Sequence, residues 1–94
     1  MNARELTLNM AVNLGRLSRW VGEGKLARVS QFIAETDEYL KLLEKSKKSE
    51  RFEVTLKLFV KSFSKLRESK RYDDEWAEEA LTWSNILSHS AKLA

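Results

Sequence analysis

Apolar residues recur along this chain at alternating steps of four and three, the spacing that places side chains on one face of an α-helix. The first such segment covers residues 3–21 and carries Leu6, Met10 and Trp20 on its apolar face. Asn2 precedes it as a predicted N-cap, with a glutamate three residues later in the capping-box position. The N-terminal segment therefore predicts an amphipathic helix.

Asn13 lies in the middle of this apolar face. A polar residue at such a position fixes the pairing or register of packed helices, at some cost in stability. The alternative is a partly exposed side chain that hydrogen-bonds to water. The sequence leaves both interpretations open.

The sequence Gly22-Glu23-Gly24 ends the first helix, and Gly22 is placed to adopt the left-handed conformation after the last turn. Because the connection is short, the next helix is expected to return antiparallel. That second helix is predicted over residues 25–45. Its buried face consists of Leu26, Val29, Ile33, Thr36, Leu40 and Leu43.

Two further helices are predicted over residues 50–69 and 74–90, with Ser49 as the N-cap of one and Asp73 or Asp74 as the N-cap of the other. The core face of the third helix consists of Phe52, Leu56, Phe59, Phe63 and Leu66. The core face of the fourth helix consists of Trp76, Ala80, Trp83, Leu87 and Ala91.

Four helices of similar length with short connections predict an all-α fold, an antiparallel up-down-up-down four-helix bundle. One domain over residues 1–94 accommodates all four helices. The chain contains no proline and only three glycines, which is unusual for a β-rich domain because such a domain needs frequent turn residues. Composition therefore agrees with the periodicity.

Cellular location is predicted from three features of the sequence. Cysteine is absent, so disulfides are excluded and a reducing compartment is permitted. The N-terminal segment is amphipathic and lacks the continuous apolar run of a signal peptide. No uninterrupted apolar stretch approaches the roughly 18 residues of a membrane-spanning helix. We expect a cytoplasmic protein with no membrane span.

Charge alternates in sign along the chain. Residues 51–71 contain seven basic and two acidic side chains, whereas residues 72–94 contain five acidic side chains and one lysine. The basic third helix and the acidic fourth helix are therefore expected to attract each other along their margins, with each exposed pair contributing about 0–1 kcal/mol.

No combination of residues predicts catalysis or a cofactor. The single histidine, His89, lacks the glutamate three residues earlier that a di-iron bundle requires. Ser88 and His89 point about 100° apart on a helix, so they do not form a nucleophile–base pair. The acidic residues 73–79 are better explained as a helix cap than as a magnesium site. We expect a chain that is not an enzyme and has no cofactor, metal or small-molecule substrate.

Seven residues on the outward sides of the first and third helices are candidates for binding a partner. The third helix mixes lysines with aliphatic residues there, which a merely solvated face does not need. The candidates are Val54, Leu58, Lys57, Lys61, Lys65, Leu8 and Val12. The surplus apolar residues favour a protein–protein interaction, and a homodimer would explain them. The alternative is an irregular bundle in which helices one and three are covered more widely.

Sequence-independent nucleic-acid binding is the second functional hypothesis. Lys57, Lys61 and Lys65 recur every four residues and so can follow a phosphate backbone. However, the tryptophans lie on predicted core faces rather than among the lysines, where base stacking would require them. A non-enzymatic, self-associating interaction or adaptor protein is therefore the preferred prediction.

Overall fold

A computed structural model describes residues 1–94. It contains no strand and four α-helices, namely α1 (Ala3–Gly22), α2 (Val29–Lys45), α3 (Glu50–Glu68) and α4 (Asp74–Ser90), and a short 3-10 helix over Ala91–Leu93 follows α4. The helix α1 packs against α2 and α4, and α3 lies beside α4. Helices α1 and α3 therefore occupy diagonal positions. The predicted all-α four-helix bundle is confirmed.

Side-chain caps begin three of the four helices, as the sequence predicts. The Oδ1 atom of Asn2 accepts a hydrogen bond from the backbone N–H of Glu5 at 2.8 Å. Ser49 accepts one from the backbone N–H of Phe52 at 3.2 Å. Asp73, rather than Asp74, caps α4. Each cap satisfies a backbone donor that would otherwise lack a partner at the helix start.

The predicted start of the second helix at Lys25 is wrong, because α2 begins at Val29. Gly24, not Gly22, adopts the left-handed conformation, with φ at 72°. This allows the N–H of Lys25 to donate to the carbonyl of Trp20 at 2.8 Å, as in a Schellman motif. The backbone N–H groups of Gly24 and Lys25 thus bond to carbonyls at the end of α1 and do not begin a new helix. As a consequence, Leu26 is 46% exposed rather than buried.

The contact between α1 and α4 is built from small residues. Ser84 Oγ donates to the carbonyl of Ala11 at 2.7 Å, and Ser18 Oγ donates to the carbonyl of Ala77 at 2.7 Å. A Cβ atom added to Gly15 would lie 3.2 Å from Ser84 Oγ. The small side chains therefore allow the two helix backbones to approach closely.

Aromatic side chains fix α3 against the rest of the bundle. The ring of Phe59 lies 5.3 Å from those of both Phe63 and Trp83, measured between ring centroids. Phe59 and Phe63 are buried. Arg67 at the C-terminal end of α3 also donates to Asp37 of α2 at 2.5 Å. The helix α3 thus contacts both α4 and α2.

Asn13 pairs α1 with α2. Its side chain is only 3% exposed, and Nδ2 donates to Oε1 of Glu35 at 3.4 Å. Hydrogen bonding to Glu35 raises the pKa of Tyr39 above its usual 10.0, and desolvation and the negative charges of Glu35 and Glu38 act in the same direction. Of the two interpretations of Asn13, the structure agrees with helix pairing, and the partly exposed alternative is wrong.

Candidate interaction surface on the third and fourth helices

The outward side of α3 combines exposed aliphatic residues with lysines. Val54 is 64% exposed and Leu58 is 58% exposed. Lys57, Lys61 and Lys65 are also exposed. This arrangement follows from the helical period, because the phenylalanines that hold α3 in the bundle lie on its opposite side. The five predicted candidates on α3 therefore share one solvent-facing side.

The three lysines on this side carry positive charge without an acidic partner. None of the four ion pairs in the structure, defined by an N–O distance of at most 4.0 Å, includes them. The predicted electrostatic attraction between α3 and α4 produces no direct ion pair within that distance. Instead, Ser62 Oγ of α3 donates a hydrogen bond to Oε1 of Glu79 of α4 at 2.7 Å. The ion pair that α3 forms joins Arg67 to Asp37 of α2.

The candidates on α1 belong to a separate surface. Leu8 is 38% exposed and Val12 is 51% exposed. Since α1 and α3 are diagonal in the bundle, the outward side of α1 points away from that of α3. The structure therefore does not join Leu8 and Val12 to Val54 and Leu58 as one patch.

The register between α3 and α4 brings Ile86 of α4 close to the outward side of α3. Ile86 is not among the candidate residues predicted from the sequence. Ser62 pairs with Glu79 and the ring of Phe59 packs against that of Trp83. The two helices are antiparallel, so three residues after Trp83 on α4 correspond to three residues before Phe59 on α3. Ile86 is therefore level with Leu56, and Leu58 is two residues, or about 3 Å, further along the helix axis. Ile86 is 36% exposed.

Leu93, in the 3-10 helix that follows α4, lies near the start of α3. Its carbonyl accepts a hydrogen bond from Ser49 Oγ, and its side chain is 39% exposed. Together with the three residues above, it defines what we call the α3–α4 apolar patch, which consists of Val54, Leu58, Ile86 and Leu93. The patch draws on α3, α4 and the 3-10 helix, whereas the sequence predicted an apolar pair on α3 alone.

Opposite charges lie beyond one end of the α3–α4 apolar patch. Lys65 of α3 and two acidic residues of α4, Glu75 and Glu79, line a common groove near the turn between these helices. Lys65 also lines a second groove on α3 together with Lys57 and Lys61. One lysine of α3 and two carboxylates of α4 therefore lie side by side at this end of the bundle.

Metal-binding clusters, unpaired buried polar atoms and membrane-spanning helices are absent from the structure. No three His, Cys, Asp or Glu side chains are grouped closely enough to hold a metal ion. Every buried side-chain nitrogen and oxygen atom has a hydrogen-bond partner. None of the helices has the length and apolar character needed to pass through a bilayer.

No protein-family model matches the chain, and comparisons with curated proteins and with solved structures give no significant match. A functional assignment has to come from the chemistry of the described surfaces, since a four-helix bundle serves many unrelated functions.

Proposed function

We propose that this chain is a small non-enzymatic interaction or adaptor protein of the cytoplasm that self-associates as a homodimer. The observation that carries the proposal is the exposure of Val54 and Leu58, at 64% and 58%, on a helix whose opposite side already fills the core. Burying these side chains against a second molecule would contribute roughly 0.8 kcal/mol for each methylene group removed from water. An exposed apolar cluster rimmed by charge is typical of protein–protein contact.

Leu58→Glu is expected to weaken the dimer by at least about tenfold, because it introduces a charged side chain into an apolar interface. Sedimentation velocity over a micromolar concentration series measures the effect directly. Leu42→Glu is the matched control, since Leu42 on α2 is 52% exposed and receives the same chemical change. The control is expected to dimerise as the unaltered protein does, and circular dichroism should show that both variants retain their helices.

A single monomeric species for the unaltered protein at every concentration would remove the claim of self-association. A dimer that responds to Leu42→Glu and not to Leu58→Glu would contradict the assignment of the contact to α3.

The second candidate function is sequence-independent binding of nucleic acid by α3. Its supporting observation is that Lys57, Lys61 and Lys65 line one groove and have no carboxylate within 4.0 Å. Unpaired ammonium groups in a row can replace the counterions of a phosphate backbone. The apolar residues between the lysines favour the protein partner over this alternative.

Nucleic-acid binding through these lysines is expected to weaken steeply with salt, with a log–log slope of about −2.7 for three phosphate contacts on duplex DNA. Reversing all three lysines to glutamate should abolish binding in a gel-shift titration. The control reverses the same number of charges elsewhere, at Lys25, Lys45 and Lys92. The absence of any shift at low salt, with single- or double-stranded probes, would exclude this function.

A further inference from the structure

We propose that a second copy of this chain packs on the α3–α4 apolar patch about a two-fold axis parallel to the bundle, so that α3 of each copy lies on α4 of the other. The inference rests on the proposed self-association and specifies its geometry. A two-fold contact uses the same surface on both copies, so that surface must be complementary to itself. The apolar pair Leu58 and Ile86 and the charged pair Lys65 and Glu75 meet that condition.

The apolar residues are complementary because Leu58 and Ile86 lie on different helices at nearly the same height. A two-fold axis parallel to the helices exchanges α3 and α4 while keeping the height along the bundle. Leu58 of each copy therefore meets Ile86 of the other copy. The contact brings together one residue of α3 and one residue of α4 that are both exposed in the single chain. The parallel two-fold contact thus removes the side chains of Leu58 and Ile86 from water in both copies.

The charged residues select this axis over the perpendicular one. From the Ser62–Glu79 pair, Lys65 lies level with Trp76 and one residue from Glu75. The parallel axis therefore places Lys65 of each copy opposite Glu75 of the other. A perpendicular axis level with Leu58 would instead bring Lys65 towards Arg51 of the other copy, which juxtaposes like charges. Opposite charges in two symmetric positions favour the parallel arrangement.

The patch contains only four apolar side chains in each copy, so the interface lies at the small end of specific protein contacts. A weak dimer that dissociates on dilution is therefore expected. Because its two charge pairs lie at the exposed edge of the interface, its association is also expected to weaken as salt is added.

The test uses a pair of charge reversals, Lys65→Glu and Glu75→Lys, in the full chain. Each variant alone places like charges opposite each other twice in a dimer, and sedimentation should show association about tenfold weaker or more. An equimolar mixture of the two variants forms a heterodimer with two opposite-charge pairs, so association should return close to that of the unaltered protein. A change confined to the folding of one chain is not repaired by mixing.

Ile86→Glu provides an independent variant, because it changes the apolar contact and leaves both charge pairs in place. It should weaken the dimer by about tenfold or more while circular dichroism shows an intact bundle. If the unaltered protein dimerises but mixing does not restore association, or Ile86→Glu has no effect, this geometry is overturned and self-association stands. If the unaltered protein is monomeric throughout, the proposed function and this geometry both fall.

Discussion

Phe59→Ala is expected to lower the free energy of unfolding by about 3–5 kcal/mol, the range for removing a large aromatic side chain from a packed core. Phe59 has no exposed surface, and its ring contacts those of Phe63 and Trp83. The substitution removes the aromatic contact that joins α3 to α4 and leaves a cavity between them. Since a domain of this size has a total stability of about 5–15 kcal/mol, the loss is a large fraction of it.

Urea denaturation followed by circular dichroism measures this loss, at a protein concentration low enough that self-association does not contribute. Phe32→Ala is the matched control, because Phe32 is only partly buried on α2 and contacts Trp20 at the edge of the core. The control should be clearly less destabilising. A loss below about 1 kcal/mol for Phe59→Ala would contradict the close packing described for α3.

The core faces of α3 and α4 are the part of the fold that the sequence predicts best. All five residues that the sequence assigns to the core face of each of these two helices are buried. These predictions succeed because they rest on local rules: a helix of 3.6 residues per turn, bulky apolar residues at its period, and a capping side chain before it. Helix α2 has no such cap, and its start is the boundary that the sequence places wrongly.

The second buried side of α1 could not be predicted from its periodicity. Thr7 and Ala11 are 0% and 2% exposed, yet neither contributes to the stripe of large apolar residues. Ala11 lies where α4 approaches closely, because its carbonyl accepts a hydrogen bond from Ser84 of that helix. Thr7 Oγ1 donates to the carbonyl of Ala3 at 2.7 Å, so the hydroxyl is satisfied inside the core. A sequence does not show which small residues meet a neighbouring helix.

For the candidate surface, too, the exposed residues of one helix follow from the sequence, whereas the contacts between two helices do not. The projection of α3 places Val54 and Leu58 opposite its core face, and both are exposed. By contrast, the neighbourhood of Leu58 and Ile86 depends on the register between two helices. That register is set by tertiary contacts such as Ser62 with Glu79, which neither helix encodes alone. The structure therefore groups the apolar pair on α3 with residues of α4 and of the 3-10 helix.

Asn13→Asp is expected to lower the free energy of unfolding at neutral pH by about 3–5 kcal/mol, the range for a buried charge without a compensating partner. The side chain at this position is 3% exposed and contacts the carboxylate of Glu35. The substitution would replace an amide donor by a second carboxylate. Glu35 also raises the pKa of Tyr39, first through a hydrogen bond and then through its negative charge.

The pH dependence of this variant has a definite sign. Burial and the charge of Glu35 raise the pKa of the introduced carboxyl above its unfolded value of about 3.9, so the folded state favours the protonated form. The variant should therefore approach the unaltered protein as the pH falls towards about 4, and lose stability relative to it as the pH rises through the folded pKa. Parallel urea titrations of both proteins across this range measure the difference.

Asn9→Asp is the matched control for Asn13→Asp, since it makes the same chemical change on α1 at a partly exposed position. Its effect should be within about 0.5 kcal/mol, because water solvates the new charge. A double variant that adds Glu35→Gln removes the opposing carboxylate and should recover part of the stability lost in Asn13→Asp. Equal, pH-independent effects of Asn13→Asp and Asn9→Asp would contradict the pairing of α1 with α2 through the buried side chain of Asn13.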